Sequence, residues 1–118
     1  MQVIYKILAP IQWAEMRING ALTPQGVDAD DGYVHFSTAG QLIETLNKHY
    51  TGHGDLVLLA VASDDLGIAL KWEVSRGGDK FPHLYDTLCM DDIRADFALN
   101  AARDGVEEWL AQSEEMVA

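Results

Sequence analysis

Val3–Leu8 (VIYKIL) is β-branched, aromatic and apolar, a pattern that predicts a buried first strand. Pro10 suits the first turn of a following helix, where its missing N–H costs no hydrogen bond. Ile11, Ala14, Met16 and Ile18 recur at roughly helical spacing, and Asn19-Gly20 stops that run. Thr23–Gly32 (TPQGVDADDG) is rich in Pro, Gly and Asp and predicts a loop. Gly32–Thr38 (GYVHFST) predicts a short strand running into a helix start. There Thr38 and Gln41 have the spacing of a capping box, which satisfies the first free backbone donors. Leu42, Ile43, Leu46, His49 and Tyr50 continue on a helical period as far as Gly52. Asp55–Ala62 (DLVLLAVA) is the most apolar run and predicts a central strand.

Asp64–Gly67 reads as a turn, Ala69–Ser75 as a half-exposed alternating strand, and Gly77-Gly78-Asp79 as a second tight turn. Phe81–Leu84 is expected to be extended, because Pro82 restricts the residue before it. Over residues 93–101 two patterns compete. Ile93, Phe97 and Leu99 favour a strand over Ile93–Leu99, whereas Ile93, Phe97 and Ala101 would line a helix. Val106–Ser113 predicts a helix with Glu107 and Glu108 in its favourable first turn; Glu114 and Glu115 oppose the dipole at its end and predict fraying. Helices and strands mix without strict alternation, with no repeat and no linker. One α+β domain over residues 1–118 follows.

Composition narrows the function classes. Lys and Arg total 8 against 19 Asp and Glu, a formal net charge of −11. Phosphate-rich nucleic acid and anionic membranes need a positive footprint, so bulk binding to either is not expected. The same acidity could serve a basic protein partner, with Glu107, Glu108, Glu114 and Glu115 near one end, or simply solubility. Cys89 stands alone and cannot form an internal disulfide, which fits a reducing compartment. No apolar run approaches the ~20 residues of a membrane span, and the first residues lack a signal-peptide layout. A cytoplasmic location is the expectation.

Three segments carry chemistry beyond ordinary core. Tyr33–Thr38 delivers His35 and the hydroxyls of Ser37 and Thr38 to a helix N-terminus, which offers N–H groups to an anion. On Leu70–Asp79, Lys71, Glu73 and Ser75 share one strand face. Glu73 could accept ribose hydroxyls or act as a base, while Arg76 beside two glycines could meet phosphate. In Phe81–Tyr85, His83 and Tyr85 face one side, with Phe81 as a stacking wall. His49 and His53 have metal-ligand spacing, but Gly52 and Gly54 break the helix between and beyond them, so no metal is expected.

These segments, with Ile4-Tyr5-Lys6, are collinear with and resemble the small bacterial family called domain of unknown function 952, over about Val3 to Ile93. The segment 94–118 does not look like the family pattern. That family is similar in fold to the ADP-ribosyltransferases, whose split, mostly antiparallel sheet with flanking helices holds NAD in a cleft. The resemblance implies a cleft for NAD, a related nucleotide or another phosphorylated small molecule. Lys6 stands where those transferases carry a ribose-orienting His or Arg, and Glu73 is the nearest acidic counterpart of their catalytic acid. Under this reading Glu73 and His35 are catalytic. Lys6, Ser37, Thr38, Arg76, Phe81, His83 and Tyr85 bind ligand. A non-catalytic acidic interaction module on the same fold is the alternative.

Overall fold

The computed structural model describes residues 2–117, apart from the side chain of Arg76. Strand β1 (Val3–Leu8) leads through Ala9 into helix α1 (Pro10–Asn19), which Gly20 ends in a left-handed conformation at φ 82°. The expected loop 23–32 holds a single helical turn, α2 (Val27–Asp31). Gly26 and Gly32, both at positive φ, bracket that turn, which is why its glycines and aspartates read as loop chemistry. The expected strand over 32–38 divides in two, β2 (Val34–His35) and β3 (Ser37–Thr38). Helix α3 (Ala39–His49) then starts at Thr38 through the capping box with Gln41. Strands β4 (Leu56–Ala62), β5 (Leu70–Val74), β6 (Lys80–Leu84) and β7 (Ile93–Leu99) follow, and helix α4 (Val106–Val117) closes the described chain. The 93–99 alternative thus resolves as a strand. Helix α4 runs past the expected Ser113 because Val117 is buried against the core.

The strands form two antiparallel sheets, one in the order β3-β1-β4-β7 and one in the order β2-β6-β5. The fold is therefore mixed α+β with antiparallel sheets and flanking helices. Phe36 is the crossing point between the sheets: its N–H donates to the Pro82 carbonyl at 3.0 Å while β2 pairs with β6 and β3 with β1. Both faces of the first sheet are covered, so β4 is buried at all seven positions. On one face Tyr5, Leu58 and Leu99 pack against α3 and α4. On the other Ile4, Leu8, Leu59 and Val61 meet Trp13 and Met16 of α1 together with Val34, Phe36 and Leu84. Alternation along β1 sends Lys6 to this second face, between Ile4 and Leu8. A lysine there must find a counter-charge.

Strand β5 is the outer strand of the second sheet, and its Trp72 and Val74 are exposed, as is the preceding Ile68. Glu107, Glu108, Glu114 and Glu115 are exposed along α4. Among the described residues, no helix is long and apolar enough to cross a membrane.

Candidate functional site

A cleft of about 690 Å³ lies between α3 and the second sheet, with β1 and α2 at its base. Gln41 ties the two walls together at one end. Its amide oxygen accepts the Thr38 N–H at 3.0 Å and its amide nitrogen donates to the Lys80 carbonyl at 2.8 Å.

At the base, Lys6 Nζ lies 2.6 Å from Asp28 Oδ2, and the two side chains are only 8% and 7% exposed. Burial pushes the Lys6 ammonium down from its ordinary range, against the attraction of Asp28. Burial also works to raise Asp28, but hydrogen bonds from His35 and the Lys6 charge outweigh it and hold the carboxyl below the usual carboxylate range. The other Asp28 oxygen accepts the His35 backbone N–H at 3.1 Å and lies 2.6 Å from His35 Nδ1. His35 Nε2 lies 3.0 Å from Asp31 Oδ2. Both ring nitrogens of His35 thus face a carboxylate oxygen, and the ring is fixed between Asp28 and Asp31.

Beside it, paired register brings His83 opposite His35, with ring centroids 5.2 Å apart. His83 Nδ1 lies 2.9 Å from Glu73 Oε1, which also accepts the Tyr85 hydroxyl at 2.7 Å. These bonds from Tyr85 and His83 hold Glu73 below the usual carboxylate range, and the same contact pushes the Tyr85 phenol up to about 12. Tyr33 stacks on His83 at 4.2 Å. Among the described residues no hydrogen bond reaches His83 Nε2, and this buried ring lines the cleft. An imidazole held at Nδ1 by a carboxylate and open at Nε2 can accept or donate one proton there.

The structure gathers Lys6, His35, Ser37, Phe81 and His83 along the cleft. Glu73 and Tyr85 sit behind His83, outside the lining. Thr38 is occupied as the helix cap, and Ser37 Oγ lies 3.2 Å from Thr45 Oγ1. Arg76 falls outside the described side chains; its neighbours Ser75 and Gly77 line the cleft. Lys71 pairs with His83 in strand register, not with the Glu73 carboxylate as a salt bridge. Asp28, Asp31, Tyr33 and Tyr50 were not singled out from the sequence, although a lone lysine in an apolar strand signals that an acid must lie opposite it. Among the described residues no group of three or more His, Cys, Asp or Glu side chains could hold a metal ion.

Fold and site together define an α+β protein with two antiparallel sheets and a histidine-bearing cleft. The chain belongs to the family described as a protein of unknown function, DUF952, whose sequence model matches residues 7–95. Its structure is similar to the X-ray crystal structure of protein CC0527 from Caulobacter crescentus, at TM-score 0.86 and 40% identity over 92% of this chain and 98% of that one. The solution NMR structure of CC0527 matches at TM-score 0.77 and 42% identity, over 85% of this chain and 86% of that one. The crystal match reaches further than residues 7–95, so the likeness in shape continues into the C-terminal segment. No curated protein matches the sequence.

Proposed function

We propose that the cleft binds a nucleotide or another phosphorylated small molecule and that His83, steered by Glu73, moves a proton on it. The observation that carries this reading is the open Nε2 of His83 in the cleft, with Nδ1 on Glu73. Glu73 then fixes the tautomer and steadies charge on the ring, a positioning role. His35, held on both sides by carboxylates, keeps a fixed position beside it, and Phe81 offers a face for a ring. The resemblance to ADP-ribosyltransferases makes NAD the first ligand to try. The cleft's volume lies within the range of small-molecule sites. Both lysines of the lining are already matched, Lys6 by Asp28 and Lys48 by Glu44. Phosphate would therefore lean on imidazole and on the backbone near Gly77.

A thermal-shift panel of NAD, ADP-ribose, AMP and ribose 5-phosphate tests this. A ligand at about 100 times its Kd stabilises the folded state by about 2.7 kcal/mol. His83→Ala should abolish that shift. A panel in which no phosphorylated compound moves the wild-type midpoint overturns the reading.

A further inference from the structure

The far end of the cleft is built by a segment that ordinary helix chemistry leaves open. Helix α3 ends at His49, and the turn that follows it sends Tyr50 and His53 into the cleft wall, their rings edge to face at 5.2 Å. The last carbonyls of a helix have no partners within it and carry its negative dipole end. Just beyond them, one side chain from the turn between β7 and α4 gathers carbonyls of the C-cap residue and of the turn that follows. Arg103 Nη2 donates to the carbonyls of Tyr50 at 3.0 Å and His53 at 3.2 Å, and Nη1 to those of Gly54 at 3.1 Å and Asn100 at 3.3 Å.

The guanidinium is a rigid fork of donors, so the carbonyls of Tyr50, His53 and Gly54 on one fork, with Asn100 tying that fork to its own turn, fix the position of the 50–54 turn. Arg103 is held for this task. It is the one non-glycine residue at positive φ among those described, at 63°, a conformation that costs a side-chain-bearing residue free energy. Asn100 closes the same turn: its side-chain oxygen accepts the Asp104 N–H at 3.1 Å.

We infer that Arg103 is a positioning residue for the cleft: by clamping residues 50–54 it holds Tyr50 and His53 where a ligand meets them. This rests on the cleft being a binding site, and it assigns a role to a residue beyond the stretch that the family's sequence model matches.

Arg103→Gly separates backbone from side chain, since glycine accepts the left-handed conformation and only the fork is lost. Amide hydrogen exchange in the ligand-free protein should speed up by about tenfold or more over residues 50–54, with the sheets unchanged. The Kd for NAD or ADP-ribose should weaken by about tenfold. Added guanidinium ion should restore part of both, and Arg103→Lys should fall between, because one ammonium cannot span four carbonyls. Unchanged exchange over 50–54 overturns the clamp. Faster exchange with an unchanged Kd overturns its role in binding. A wild-type protein that binds no probe removes the cleft reading and with it the affinity claim, while the exchange result still decides the clamp.

Discussion

His35 and His83 face each other across one strand pair, yet their carboxylates lie at different depths. Asp28, with 7% of its side chain exposed, holds His35 and also neutralises a buried lysine. Glu73, with 39% exposed, holds an almost fully buried His83 from the solvent side. The same imidazole–carboxylate contact therefore does two jobs. At depth it keeps a charge tolerable within the core, because an ion taken out of water must be matched. Near the surface it contributes little to stability and instead orients a ring whose other nitrogen stays open.

Removing Asp28 should have the largest effect. Asp28→Ala leaves Lys6 buried without a counter-ion and is expected to cost about 3–5 kcal/mol in urea unfolding. A loss no larger than that of Glu73→Gln would erase the contrast in depth. Replacing the pair together, Lys6→Met with Asp28→Leu, should recover most of that loss, since apolar partners do not need each other's charge. Acid titration gives the next effect. Asp28 is held below its ordinary 3.8, so its contribution is complete above about pH 3.8 and disappears as pH falls through the lower folded value. Asp28→Asn should lose that acid limb.

Glu73→Gln should leave the urea midpoint almost where it was, while ligand-dependent stabilisation falls with the loss of His83 steering. Its sharpest mark is on Tyr85, whose phenol sits at about 12 against an ordinary 10.0. The raised value means that this hydrogen bond contributes fully below pH 10 and is lost as pH climbs through about 12. Tyrosinate absorbance should show the late-titrating phenol return toward 10 in the variant. An unchanged titration would detach Tyr85 from Glu73.

Much of this arrangement was legible in the chain because it depends on local periodicity. The unbroken apolar run of β4, Pro10 and Gly20 around α1, and the Thr38–Gln41 box each act within a few residues. So did the shared face of Glu73 with Lys71, and that of His83 with Tyr85. The sheet break at Phe36 was not legible, because GYVHFST alternates like one continuous strand and its division depends on partners far along the chain. Asp28 was hidden for a related reason. Its neighbours spell a loop, and its role exists only once Lys6 is folded against it, 22 residues away. Arg103 was not singled out, because the carbonyls it gathers at residues 50–54 lie about 50 positions away in the chain.

The outer edge of β5 has a consequence outside the folded monomer. Its backbone groups on that side have no strand beside them among the described residues, and Trp72 and Val74 stand exposed along it. Such an edge can template pairing with another molecule. At neutral pH the net charge of −11 keeps copies apart. That protection vanishes near the isoelectric point of about 4.4, above the lowered value at which Asp28 takes up its proton. As pH falls, edge-to-edge precipitation is therefore met before acid unfolding. Dilution separates them, because association depends on how much protein is present and the protonation of Asp28 does not.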